Sequence, residues 1–156
     1  MRTAPISFTA RTPFRSARPG VLVIYCSDGR FTGAVEELLE QIGHESMDRL
    51  SMPGGPATLS YASSDYSERD AATRACAFLI REHSLRRIVL VAHQGCAHYR
   101  ERYPSTPAAD IERRQRDDLQ KAAKALERLH AGFRLHAYYA RVNSGQVIFE
   151  AVESGT

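Results

Sequence analysis

"VLVIYCSDGR", residues 21–30, is the stretch on which the architecture turns. It opens with an unbroken apolar and mostly β-branched run, without the alternation of a half-exposed strand. That is the pattern of a strand buried on both faces of a parallel sheet. The run stops at Cys26, and Asp28 and Arg30 follow at two-residue steps in a turn. The next segment, "TGAVEELLEQIG", reads as a helix: Thr32 is placed to cap it, Glu36 and Glu37 suit its positive end, and Gly43 can close it. Strand, turn and helix in that order are the building unit of α/β folds.

Working outward, "DRLSM" (48–52) is a candidate second strand leading into the turn-forming "PGGP", and residues 57–68 read as a loop. From Asp70 to His83, apolar residues including Ala72, Cys76, Leu79 and Ile80 recur at helical spacing. "RRIVLVAH" then repeats the buried-strand pattern up to His93. A long helix follows, with Thr106 as its cap, Pro107 in its first turn, a stripe through Ile111, Leu119, Ala122, Leu126 and Leu129, and Gly132 as its stop. The spacing predicts Arg113–Asp117 and Arg114–Asp118 pairs on its solvated face. "RLHAYYARV" and "QVIFEAV" around "NSG" read as a terminal hairpin. The expected fold is α/β, a mostly parallel β-sheet flanked by helices with a C-terminal hairpin.

At 156 residues, 43% of them apolar and 25% charged, the chain suits one globular domain and has no stretch apolar enough for a membrane helix. The net charge of +3 is small and its basic residues are interleaved with acids, which argues against nucleic-acid binding. Residues 1–20 carry prolines at 5, 13 and 19, which break any amphipathic targeting helix. They read as an extended N-terminal arm before a single domain over 21–156. Three cysteines cannot all pair, so reduced thiols in a cytoplasmic setting are expected.

Both buried strands end in metal-ligand chemistry: Cys26 closes the first, His93 closes the second, and Cys96 lies three residues on. Ligands of open parallel sheets collect beyond the carboxyl ends of the strands. Neighbouring strands would therefore gather Cys26, His93 and Cys96 in one crevice. Two thiolates and an imidazole suit zinc, with the fourth position open or taken by Asp28. A forked Arg30 pair would hold Asp28 away from the metal as an oriented acceptor. Cys76, on the apolar stripe of its helix, reads as a small hydrophobe, and His98 as a surface residue. The Cys96-to-Arg102 spacing is that of cysteine phosphatases, but "AHYRE" is bulky and charged where those loops are small and glycine-rich.

"CSDGR" followed by "HQGC" resembles the β-class carbonic anhydrase signature, C-x-D-x-R then H-x-x-C. The similarity extends over roughly residues 21–152, through "SMPGG", "RRIVLVAH" and "YYARVNSGQVIFEAV". It implies zinc on Cys26, His93 and Cys96, an Asp28–Arg30 dyad as gate, and reversible hydration of carbon dioxide to bicarbonate. It also implies a homodimer or tetramer with the arm lying on a partner subunit. Ala97 stands where the family usually has glycine, and Ser51, Met52 and Pro53 where it usually has arginine, asparagine and alanine. Two alternatives follow: a non-catalytic zinc protein of the same fold, or a hydrolase of carbonyl sulfide or carbon disulfide.

Overall fold

The computed structural model describes residues 7–44 and 46–153. Its centre is the apolar run 21–26: β1 (Val21–Cys26) is buried along its whole length and pairs in parallel with β2 (Met47–Met52) on one side and β3 (Arg87–His93) on the other. β4 (Arg134–Asn143) adds to β3 in parallel, and β5 (Gln146–Val152) returns antiparallel at the edge. The order is β2-β1-β3-β4-β5. A two-residue turn makes that last reversal: Ser144 and Gly145 both have positive φ, 49° and 78°, as a type I′ hairpin requires.

Helices cover both faces. On one, α1 (Thr32–Gln41) places Val35 and Leu39 against Val21, Val23, Val89 and Val91. On the other, α2 (Tyr66–His83) and α4 (Ala108–Leu129) bury Ala72, Cys76, Ile80, Leu119, Ala122 and Leu126 against the alternate residues Leu22, Ile24, Ile88 and Leu90. Strands sandwiched in this way have no polar face to show, which is why β1 and β3 read as continuous apolar runs. No helix among the described residues is long and apolar enough to cross a membrane.

Several local expectations are corrected. The segment 57–68 is only partly loop: a 3₁₀ turn, Gly55–Leu59, is buried throughout. α2 starts earlier than Asp70, because Asp65 accepts from the Glu68 backbone N–H while the Glu68 side chain accepts from that of Asp65, a capping box. Thr32 and Thr106 do not cap: each lies beside the residue that does, Phe31 and Pro107, and neither end has a side-chain cap bond. On α4, Arg113 pairs with Asp110, Arg114 lies over the Tyr103 ring, and Asp118 is buried, so the predicted Arg114–Asp118 surface pair does not form. The solvated side of α4 is instead tied to the hairpin by Glu112, Arg116, Arg141 and Glu150.

The expected arm lies partly outside the described residues, at 1–6. Residues 7–20 form no helix or strand, and Arg18 donates to the Glu82 carbonyl at the end of α2.

Candidate metal centre

Because β1 and β3 are neighbours with Val23 beside Val89 and Tyr25 beside Val91, their carboxyl ends lie side by side. Cys26 and His93 are the last residues of the two strands. Gly95, at φ 71°, turns the chain after β3, and Cys96 becomes the N-cap of a short helix, α3 (Ala97–Arg102). One ligand atom from each of Cys26, His93 and Cys96 lies within 4.8 Å of the others, and all three residues are buried.

The donors fit a zinc ion. Two sulfurs on one tetrahedral zinc, each about 2.3 Å away, stand about 3.8 Å apart; Cys26 Sγ and Cys96 Sγ are 3.9 Å apart. The His93 Nδ1–H donates to the Gln94 carbonyl at 2.9 Å, which leaves Nε2 as the lone-pair nitrogen. That Nε2 is buried without a hydrogen-bond partner, a costly state for a polar atom unless something else takes its lone pair. The imidazole is held by the Phe31 ring, whose centroid is 4.2 Å from its own.

Electrostatics favour a cation here. The Cys96 hydrogen bond is the largest influence on Cys26 and, against the effect of burial, brings its thiol down to about 4; the backbone N–H groups of Asp28 and Gly54 act the same way. The same bond, with burial, pushes Cys96 upward, opposed by the backbone N–H groups of His98 and Tyr99 in the first turn of α3. A dication held between them would favour the thiolate form of both sulfurs.

Asp28 stands in the turn after Cys26 and is clasped by Arg30. Nη2 donates to Oδ2 at 2.6 Å, and Nε donates to Oδ1 at 2.9 Å and to Oδ2 at 3.2 Å. The Arg30 backbone N–H adds a bond to Oδ1 at 3.1 Å. Hydrogen bonding by Arg30 holds the Asp28 carboxyl down at about 2. The cluster of facing ligand atoms is made by the two cysteines and the histidine. A cleft of 410 Å³ opens beside the dyad, lined by Arg30, Phe31, Gln94 and Arg100 together with Val142 and Val147 of the hairpin.

The glycines of "PGGP" are where close approach matters. A Cβ on Gly55 would come within 2.6 Å of the Cys26 backbone nitrogen, and one on Gly54, at φ 84°, within 2.7 Å of the His98 ring. No side chain fits between this turn and the end of β1. His98 is no free surface residue: it is half-buried, with Nε2 2.8 Å from the Ser63 carbonyl. Arg102 lies on a helix and faces Glu68 at 3.6 Å, so no phosphate-wrapping loop forms around Cys96.

Over residues 17–151 the sequence matches the family model described as "Putative carbonic anhydrase". The chain belongs to the carbonic anhydrase family. Its fold is that of the solved β-carbonic anhydrases. A β-carbonic anhydrase of the fungal pathogen Aspergillus fumigatus is similar at 17% identity and TM-score 0.57, over 89% of this chain and 77% of that one. One from the protozoan Trichomonas vaginalis gives 15%, 0.54, 90% and 87%. Tetrameric β-carbonic anhydrases from the ascomycete Sordaria macrospora give 13%, 0.57, 86% and 81%. Curated proteins yield no match. Of the departures from the usual β-carbonic anhydrase pattern, Ser51, Pro53 and Ala97 are exposed and Met52 is half-buried, packed against the main core.

Proposed function

We propose that the protein is a zinc-dependent carbonic anhydrase that interconverts carbon dioxide and bicarbonate. The observation that carries this reading is the combination of a buried, unpartnered His93 Nε2 facing two thiols at metal-sharing distance with a carboxylate held beside them by its own arginine. Cys26, His93 and Cys96 would hold the zinc, whose Lewis acidity makes water a nucleophile near neutral pH.

The residues of the chain supply orientation. Asp28 stays ionised down to about pH 2, so it is an acceptor at every working pH. Arg30 occupies part of its hydrogen-bonding capacity and fixes the rotamer. A remaining lone pair can accept a hydrogen bond from the attacking water and turn the oxygen toward the substrate carbon. Two thiolates neutralise the formal charge of zinc, so water in this site is acidified less than beside three neutral histidines, and a fixed acceptor gains importance. Carbon dioxide would enter through the cleft between Phe31 and the β4–β5 hairpin, whose valines offer it an apolar wall.

Assembly as a homodimer or tetramer in the cytoplasm belongs to the same proposal. It is supported by the tetrameric Sordaria relatives and by three unpaired thiols, which suit a reducing compartment. Stopped-flow hydration of carbon dioxide with a pH indicator tests the activity: zinc-loaded protein should accelerate the reaction above buffer. Zinc-loaded protein with no acceleration would overturn it and leave the non-catalytic or carbonyl sulfide alternatives.

A further inference from the structure

Two polar side chains interrupt the buried stripe of α4 and account for no part of the dyad or the ligand set. Gln115 is 1% exposed and Asp118 is 2% exposed. They are one turn apart, on the side of the helix that carries Ile111, Leu119 and Ala122 into the core. The Gln115 Nε2–H donates to the His93 backbone carbonyl at 2.7 Å. Asp118 Oδ2 accepts from the Tyr99 hydroxyl at 2.7 Å, and Oδ1 accepts from the Ser60 hydroxyl at 2.5 Å.

Each link ends on a piece of the metal centre. His93 is a ligand residue. Tyr99 is in the first turn of α3, the helix that Cys96 caps. Ser60 follows directly on the 3₁₀ turn whose Gly55 is pressed against the backbone of Cys26. Gln115 also carries a buried Oε1 with no hydrogen-bond partner. A purely packing role would be better filled by an apolar side chain, since an unpaired buried acceptor is destabilising.

We propose that Gln115 and Asp118 are positioning residues of the metal centre. From one helix, Gln115 fixes the end of β3 at His93, and Asp118 fixes Cys96 through Tyr99 and Cys26 through Ser60. Together they set the separation of the three ligand atoms before the ion arrives. This rests on the zinc reading above and extends it to residues that touch neither metal nor substrate.

Asp118→Asn tests the link. Both hydroxyls donate to the carboxylate, and Ser60 Oγ already accepts from the Ala62 backbone N–H at 3.3 Å, so an amide nitrogen meets a donor on one side. Zinc affinity, read by competition with a chromogenic chelator, should fall roughly tenfold to a hundredfold, and the thiolate-to-metal charge-transfer band of the cobalt(II) form should shift. Tyr99→Phe should move both readings the same way by less, and it keeps the test alive should Asp118→Asn fold poorly. Leu126→Ala, on the same helix and also fully buried, is the packing control: it should lower the unfolding midpoint and leave zinc affinity and cobalt spectrum unchanged. If Asp118→Asn and Tyr99→Phe match Leu126→Ala in zinc affinity and spectrum, the positioning role is overturned while zinc binding stands. Wild-type protein that takes up no zinc would instead remove the functional reading itself.

Discussion

Cys76 and Cys26 are thiols with the same reference chemistry and nearly the same burial, 0% exposed against 7%, yet their surroundings give them opposite character. Cys76 faces the apolar core between α2 and the sheet, and burial, weakly opposed by a backbone hydrogen bond, pushes its thiol up to about 12. Cys26 sits where β1 ends, with Cys96 and two backbone N–H groups turned toward it, and goes down to about 4. Burial by itself therefore says little about what a cysteine does. The polar groups that share its cavity decide between packing and ligation.

The sharpest way to break this contrast is substitution at the strand ends. Cys26→Ser or Cys96→Ser should take zinc content from one per chain to near zero by elemental analysis, and retention of a full equivalent would erase the distinction between the two regions. Asp28→Ala should keep the zinc and lose roughly 10²-fold or more in hydration rate; loss of metal together with activity would move Asp28 into the ligand set. Cys76→Ala, by contrast, should leave zinc and activity alone and cost about 1–2 kcal/mol of stability, measured by urea denaturation. The smallest expected effect is at His44. Burial, with Arg87 and His136 nearby, lowers its pKa below 6.5, so the unfolded chain takes up that proton first. Its contribution is complete above pH 6.5 and declines as pH falls through that value toward the folded pKa. A urea midpoint that drops between pH 7.5 and 5.5, and drops less in His44→Gln, would bear this out.

The sequence displays most clearly what is buried on both sides. β1 and β3 stand out because a strand covered by helices on each face has no polar alternation, and their ends carry Cys26 and His93. The 3₁₀ turn at Gly55–Leu59 and the short helix α3 were not legible, because neither is long enough to set a period. Both are held by contacts from elsewhere in the chain, Gly55 on the Cys26 backbone and Tyr99 on Asp118. Asp118 is a different kind of miss. Placed seven residues after Ile111 and four before Ala122, it falls on the apolar stripe, so the period itself marked it as buried; a potential partner at Arg114 drew the reading to the surface instead. The start of α2 was likewise written in Asp65 and Glu68, ahead of Ala72, the first buried residue of the helix.

The central claim is that the sulfurs of Cys26 and Cys96 and the Nε2 of His93 share one zinc ion. X-ray absorption at the zinc edge of the purified, zinc-loaded protein tests it most directly. Two sulfur neighbours at about 2.3 Å and one imidazole nitrogen at about 2.0–2.1 Å are expected, with the remaining place filled by a light atom. A zinc shell made only of nitrogen and oxygen, or one holding a single sulfur, would contradict it.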